Sequence, residues 1–181
     1  MIVIDVETTG LDPNRHSIIS LGAVDFNNKE NLFYEECRLK EDSEINLNAL
    51  KVNGFTEEQI NNQKLSCKEL LEKFIEWSKK INDMTIGGHN VQFDISFLQN
   101  HFKHYNLKWI YGHKYLDLHS IFYFQLLKNK KSINLKDNKS DLNLDFIIKH
   151  LGLKKRTGLH NALEDAQLTA EAFSYLLNYT S

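Results

Sequence analysis

The segment Asp5-Val6-Glu7-Thr8-Thr9-Gly10 follows a run of β-branched residues and carries two carboxylates two positions apart. Because successive side chains alternate between the faces of a strand, Asp5 and Glu7 are predicted to point the same way. Two such acids at the end of a buried strand repel each other, so one should hold a proton unless a cation is bound. A divalent metal ion removes this conflict, because hard cations prefer carboxylate oxygens. A pair of solvated acids that cap the turn is the alternative, and this segment alone leaves both open.

A second polar segment, His89-Asn90-Val91-Gln92-Phe93-Asp94, follows a predicted short strand over 84–88. Asp94 falls in the first turn of a predicted helix, a position where the helix dipole also favours an acid with no further role. Phe93 is predicted either to join the core or to stack on a base. For His89 and Asn90, capping of the loop is favoured over direct catalysis.

The third segment, residues 158–166, contains His160 and Asp165. Five residues rotate a continuous helix by about 140° beyond one full turn, so these two side chains cannot share a helix face. They converge if His160 lies on the loop before the helix, which Thr157-Gly158 favours. Asp165 borders an apolar stripe, and a partly buried acid needs a partner or a metal. Taken alone, His160 is more typical of a surface histidine at a helix N-terminus.

Considered together, the three segments supply four acids and one histidine. Two-metal hydrolysis of a phosphodiester needs such a set, because carboxylates hold two cations roughly 3.5–4 Å apart and these stabilise the attacking and leaving oxygens. An imidazole with a pKa near about 6.5 can take the proton from the attacking water.

The composition narrows the class of protein. The chain has 181 residues, 41% of them hydrophobic, and a net charge of −2, which argues for one folded domain over residues 1–181 and against disorder. No apolar run approaches the roughly 20 residues of a membrane helix. The thiols of Cys37 and Cys67 are predicted to be buried in a reducing compartment, and with no basic leader at the N-terminus a cytoplasmic location is expected.

Net charge provides no general affinity for nucleic acid, so any such binding must come from metals or local patches. The two candidate patches are Lys128, Lys130 and Lys131, for which solvated loop charge is favoured, and Lys154, Lys155 and Arg156, for which the two interpretations are balanced.

The predicted elements form an α/β domain with a mixed sheet. Strands are expected over 2–6, 17–26 and 32–39 as an antiparallel meander, with a further strand at 84–88 and either a strand or a helix entry at 115–118. Helices are expected over 66–80, with Ser66 as N-cap and Glu69 three residues on, over 95–105, and up to about His150 from a cap at Ser140 or Asn143. Residues 128–143 are predicted to be a solvated loop or a mobile excursion within the domain. A last helix is indicated by apolar residues at helical spacing, namely Leu159, Leu163, Ala166, Ala170, Phe173 and Leu177.

The sequence resembles the DEDDh 3′–5′ exonucleases, which have a ribonuclease H-like fold. It is most similar to the proofreading subunit and domains of bacterial replicative DNA polymerases. The family motifs D-x-E-T-T-G, H-N-x-x-F-D and H-x-A-x-x-D-A are met at residues 5–10, 89–94 and 160–166. The resemblance implies a five-stranded mixed β-sheet flanked by α-helices.

The resemblance also implies residue roles. Asp5, Glu7 and Asp165 would bind one metal ion, Asp5 would bridge to a second, Asp94 would complete the acidic set, and His160 would be the general base. The ions would be Mg²⁺, with Mn²⁺ expected to substitute. The residues expected to bind substrate are Thr8, Thr9, Gly10, Leu11, Asn53, His89, Asn90 and Phe93.

The implied activity is removal of nucleoside 5′-monophosphates from the 3′ end of single-stranded or frayed nucleic acid, with DNA favoured. Trimming of RNA 3′ ends remains an alternative, because discrimination between the two depends on contacts to one 2′-hydroxyl. A catalytically silent nucleic-acid-binding module is a further, less favoured alternative. A polymerase or another nucleic-acid-processing protein is the expected kind of partner.

Overall fold

A computed structural model describes residues 1–178, which fold around a five-stranded sheet. The strands are β1 Ile2–Thr8, β2 Ile18–Asp25, β3 Asn28–Glu36, β4 Ile86–Gly88 and β5 Tyr115–Asp117. Their order in the sheet is β3-β2-β1-β4-β5. The first three strands form the predicted antiparallel meander, and β4 and β5 continue the sheet in parallel with β1. The mixed sheet predicted from the sequence is therefore confirmed.

Seven helices in the described part of the chain surround this sheet. The capping box predicted at Ser66 is present at the start of the third helix, where the Ser66 and Glu69 side chains accept from each other's backbone N–H groups, and Asn143 caps the sixth helix. The segment 115–118, predicted as a strand or a helix entry, contains both, because strand β5 ends at Asp117 and a helix begins at Leu118. The helices are α1 Leu47–Asn53, α2 Glu57–Asn61, α3 Cys67–Ser78, α4 Gln92–His104, α5 Leu118–Lys128, α6 Leu144–His150 and α7 Ala162–Asn178.

Strand β1 separates two hydrophobic cores. Its even-numbered residues Ile2, Ile4 and Val6 belong to the core that contains α3 and α4. Val3 belongs to the opposite core, with the buried residues of α5, α6 and α7. Burying each such aliphatic side chain contributes roughly 1.5–3 kcal/mol, and a one-residue slip would reverse every side chain, so the register is strongly specified. Asp5 and Glu7 consequently share the face of Val3 and point towards α7, as the alternation predicts.

The last helix begins later than its apolar spacing predicts. Helix α7 starts at Ala162, and Leu159 lies on the preceding loop with 61% of its surface exposed, while Leu177 near the other end is 72% exposed. Ala166, Ala170 and Phe173 form the buried face as expected. The spacing identified the packing face but overextended it, because three- and four-residue intervals carry no information on where the packed neighbour ends.

The region 128–143 is mostly exposed, but it is not an unstructured loop. Helix α5 continues through Lys128, and a hairpin follows with strands β6 Leu135–Lys136 and β7 Lys139–Ser140. Its two turn residues, Asp137 and Asn138, both have positive φ, the conformation of the tight turns that join twisted antiparallel strands.

Among the helices of residues 1–178, none combines the length and the apolar composition that a membrane-spanning segment requires.

Candidate active site

A glycine on β2 allows the two halves of the candidate site to meet. Gly22 lies directly opposite Asp5 in the β1–β2 register. A Cβ atom on Gly22 would lie only 2.2 Å from the carbonyl carbon of Ala162. The start of α7 therefore rests on the sheet at a position that only glycine can occupy, which places Asp165 on the same side as Asp5 and Glu7.

Three of the predicted residues come together at this point. Potential ligand atoms of Glu7, His160 and Asp165 all lie within 4.8 Å of one another. His160 occupies the loop before α7, the placement that convergence with Asp165 requires, and its Nδ1 lies 3.3 Å from Asp165 Oδ2. The His160 side chain is 44% exposed, whereas Asp165 is buried. The imidazole thus borders solvent while its acidic partner is enclosed.

Asp94 reaches the same cluster from α4. Its Oδ1 accepts the backbone N–H of Val6 at 2.9 Å. The pairing of β4 with β1 ends at Val3 and Gly87. The Asp94 carboxylate therefore accepts a β1 N–H that lies beyond the reach of β4. This buried bond fixes Asp94 to β1 within the cluster. Asp94 therefore lies in the first turn of α4 for a reason beyond the helix dipole, because from there it bonds the backbone of β1.

The carboxylates raise one another's proton affinity. Burial raises the pKa of Asp5 well above its usual range, and the charges of Asp94, Glu7 and Asp165 raise it further. Burial likewise raises the pKa of Glu7 to about 7 and that of Asp94 to about 8. Conversely, the hydrogen bond with Asp165 raises the pKa of His160. A divalent cation beside these carboxylates would favour their ionised forms.

The donor set fits a divalent metal ion. Glu7 Oε1 is buried and has no hydrogen-bond partner among the described residues, and the buried Asp165 Oδ1 has an ion-pair contact with Arg156 Nε but no hydrogen bond. Buried carboxylate oxygens without partners are costly, and they are the ligand type that hard divalent cations prefer. Asp5, Glu7 and Asp165, with Asp94 beside them, are therefore suited to hold such an ion.

An open cleft of about 380 Å³ leads to these acids. Asp5, Glu7, Asp94 and His160 line it. Its lining also includes six of the residues predicted to bind substrate, together with Ala49 and Val52, which sequence reasoning missed. The six predicted residues are Thr8, Leu11, Asn53, His89, Asn90 and Phe93.

This geometry can be compared with known proteins. Residues 2–173 match the family model RNase_T, whose description is "Exonuclease". The chain belongs to this exonuclease family. The resemblance inferred from the three motifs is thereby confirmed.

Relatives of the exonuclease include bacterial replication proteins. The chain is 31% identical over 172 residues to the PolC-type DNA polymerase III of Thermotoga maritima, covering 95% of this chain and 11% of that protein. It is 30% identical over 181 residues to the DNA polymerase III subunit epsilon of Haemophilus influenzae, covering 95% of this chain and 65% of that subunit. The chain thus spans about a tenth of the first relative and just under two thirds of the second.

The solved nuclease domain of 3′hExo, a DEDDh family member bound to rAMP, has the same fold as the exonuclease. The TM-score is 0.75 at 18% identity, with 97% of this chain and 90% of that chain covered. The predicted ribonuclease H-like architecture is confirmed by this similarity.

Two residues of the predicted substrate set lie away from the cleft of the exonuclease. Thr9 is fully buried, and its hydroxyl donates to the carbonyl of Glu44 at 2.7 Å and accepts from the N–H of Ser17 at 3.0 Å. Gly10 packs against the His16 ring, which a Cβ would overlap at 2.2 Å. Neither residue lines the cleft, because the turn after β1 uses both to pack and bond within the protein.

Three cleft residues are themselves held by internal hydrogen bonds. The Asn53 side chain donates to the carbonyl of Thr8 at 3.1 Å and so joins α1 to the end of β1. His89 Nε2 lies 2.9 Å from the Leu142 carbonyl oxygen. The Asn90 N–H donates to Asp117 at 2.7 Å. These contacts agree with the loop-capping interpretation of His89 and Asn90 and give the cleft wall a fixed shape.

The basic cluster at 154–156 divides into two parts. Lys154 and Lys155 are exposed, as solvated charges would be. The Arg156 side chain is only 7% exposed, and its Nε lies 2.9 Å from Asp165 Oδ1. This contact is an ion pair that lacks the alignment of a hydrogen bond. The sequence indicated a cation before the third motif, but not that Arg156 alone enters the acidic cluster.

The other candidate patch lies away from the site. Lys128, Lys130 and Lys131 are exposed and line none of the cleft.

Proposed function

We propose that this exonuclease removes nucleotides one at a time from the 3′ end of single-stranded or frayed nucleic acid, with DNA as the favoured substrate and nucleoside 5′-monophosphates as products. The observation that carries the proposal is the convergence of Glu7, His160 and Asp165, beside Asp5 and Asp94, at one open cleft. We further propose that residues 1–181 act as one exonuclease domain.

The acids would hold two Mg²⁺ ions, for which Mn²⁺ would substitute. Asp5, Glu7 and Asp165 would be ligands of the first ion, and Asp5 with Asp94 would serve the second. When bound, the ions supply charge stabilisation for the attacking and leaving oxygens of the phosphodiester. The buried Glu7 Oε1, which has no hydrogen-bond partner among the described residues, supports this assignment.

His160 would act as the general base. Its ring stands at the border between the buried acids and solvent, where it can meet a water molecule. Asp165 orients the ring through Nδ1, in the way that an acid orients the histidine of other hydrolytic sites. The ring would take the proton of the attacking water and return it to solvent through its exposed edge.

The cleft walls would receive the terminal nucleotide. Leu11 is 80% exposed at the cleft, and Phe93 and Val52 add further apolar surface. An aromatic or apolar wall contacts the flat face of a base. Because every base has such a face, this contact tolerates any sequence. Such walls suit an enzyme that must accept every 3′-terminal base in turn.

The relatives bear on the substrate. The Thermotoga and Haemophilus proteins are named as DNA polymerase III components, which favours DNA and a role beside a polymerase, such as proofreading. RNA trimming is the second candidate, because the nuclease domain with the same fold was solved with rAMP bound.

The test is digestion of matched DNA and RNA oligonucleotides labelled at the 5′ end, with free or blocked 3′ termini, in Mg²⁺. We expect a ladder of shortened products from free 3′ ends only, with faster shortening of DNA. Glu7→Gln should abolish the ladder, while Glu76→Gln, the same substitution at an exposed position of α3, serves as the matched surface control. Internal cuts, equal cleavage of blocked ends, or tight binding without turnover would contradict the proposal. Faster shortening of RNA would reverse the substrate preference alone.

A further inference from the structure

Arg156 places a permanent positive charge inside the acidic cluster. The residue lies on the segment between α6 and α7, and its side chain is almost fully enclosed. A guanidinium does not lose its proton in a protein, and a buried charge must be paired. Arg156 meets this requirement with two carboxylates, Asp165 at 2.9 Å and Asp145 on α6 at 3.6 Å.

The Arg156 contact uses the same carboxylate that a metal ion would need. Arg156 faces Oδ1 of Asp165, and His160 faces Oδ2. Asp165 also belongs to the group whose ligand atoms converge within 4.8 Å. A divalent ion bound at this carboxylate would stand close to the guanidinium, and the two positive charges would repel each other strongly where water is largely excluded.

A second acid offers the guanidinium an alternative partner. Asp145 is exposed and lines a hollow of about 330 Å³ together with Asp5, Arg156 and Asp165. The backbone beside Arg156 is held in place, because the N–H and hydroxyl of Thr157 both donate to Glu164, at 2.9 and 2.8 Å. A change of partner therefore requires rotation of the Arg156 side chain rather than movement of the loop that carries His160.

We propose that Arg156 is a positioning residue that stands in for the metal ion at Asp165, competes with the ion for this carboxylate, and turns to Asp145 when the ion binds. The inference rests on the proposed metal-dependent function. Its consequence is that the acids stay partly neutralised in the metal-free protein, and that the metal affinity of the site is set below what its carboxylates alone would give.

The experiment measures Mn²⁺ binding by isothermal titration calorimetry without nucleic acid, so that catalysis plays no part. Removing a coupled competitor should make Arg156→Gln bind Mn²⁺ about tenfold more tightly than the wild type. Arg156→Lys, which keeps the charge but loses the planar fork, should lie between them. Lys154→Gln removes the same charge from an exposed position of the same segment and should leave the affinity unchanged.

Asp145→Asn tests the exchange of partners from the other side. Without its alternative partner, Arg156 should compete more strongly, so this variant should bind Mn²⁺ more weakly than the wild type. In the Arg156→Gln background the same substitution should have no effect, because it then acts through a residue that is absent. An equal loss in both backgrounds would show a plain charge effect and contradict the exchange.

The outcomes separate this inference from the function on which it rests. Unchanged or weaker Mn²⁺ binding by Arg156→Gln, while the wild type binds, would overturn the competition and leave the metal site intact. An absence of Mn²⁺ binding at the acids in every variant would instead overturn the proposed function. Circular dichroism reports whether each variant is folded. If Arg156→Gln is not, Arg156→Lys decides, because Mn²⁺ binding no tighter than that of the wild type would then overturn the competition.

Discussion

Gly22 on β2 lies against the backbone of Ala162 at the start of α7, so closely that a Cβ on the glycine would come within 2.2 Å of the alanine carbonyl carbon. The same glycine pairs with Asp5 across the sheet. One missing side chain therefore sets both the height of α7 above the sheet and the distance from the acid on α7 to the acids on β1.

Gly22→Ala is expected to disable the site more than it weakens the fold. Backbone atoms block the new methyl group, so α7 must move away, and a displacement of about 1 Å at a catalytic site can cost about 10²-fold in rate. Overpacking should lower the free energy of unfolding by roughly 1–3 kcal/mol. The checks are kcat/KM on a 5′-labelled oligonucleotide and thermal denaturation. Wild-type kcat/KM in the variant would show that the contact does not position Asp165.

The sequence predicted the parts of the site that depend on local periodicity. Alternation along β1 placed Asp5 and Glu7 on one face, which matches the structure. The five-residue spacing showed that His160 can meet Asp165 only from outside the helix, and His160 does lie on the loop before α7. These inferences succeed because strand and helix geometry is fixed by the backbone and needs no knowledge of the neighbours.

Features that depend on tertiary contacts were not predictable in the same way. Nothing local distinguishes Arg156 from Lys155, yet only the arginine is enclosed with Asp165. Thr9 shares a motif with Thr8, but its backbone and hydroxyl are consumed by contacts with residues far along the chain. Ala49 and Val52 carry no chemical signal, and they line the cleft only because α1 lies beside the end of β1.

Glu7 and Asp94 are expected to destabilise the metal-free protein progressively as pH rises from about 4.5 to about 8. Burial raises the pKa of Glu7 to about 7 and that of Asp94 to about 8, so the folded state binds more protons than the unfolded state across this window. Folding is then penalised progressively with increasing pH, and the penalty is constant above the folded-state values. Thermal denaturation in a chelator at several pH values measures the effect.

The matched control for the pH series is the double variant Glu7→Gln with Asp94→Asn, which should lack this loss of stability over the same range. Added Mg²⁺ should also reduce the loss in the wild type, because a bound cation favours the ionised carboxylates. Burial lowers the pKa of His101 to about 4, which acts in the opposite direction below about pH 6.5, so the difference between the two curves is the test. Parallel curves for the wild type and the double variant in the chelator would contradict the burial of mutually repelling acids.

His160→Gln distinguishes a general base from a metal ligand, since the His160 ring lies close enough to Glu7 and Asp165 for either role. As a general base, His160 should contribute about 10²–10⁴-fold to kcat, while the Mn²⁺ dissociation constant measured without substrate stays near the wild-type value. The acid limb of the pH–rate profile should also disappear. A large loss of Mn²⁺ affinity in this variant would assign the imidazole to the metal instead.

The central claim is that acids from β1, α4 and α7 meet to hold a pair of divalent ions. Anomalous diffraction from crystals soaked in Mn²⁺ tests it most directly, because the signal locates the ions without reference to activity. We expect two peaks roughly 3.5–4 Å apart, one in contact with Glu7 and Asp165, the other on the side of Asp94, and both within reach of Asp5. Mn²⁺ peaks elsewhere on the protein, with none at these carboxylates, would contradict the account.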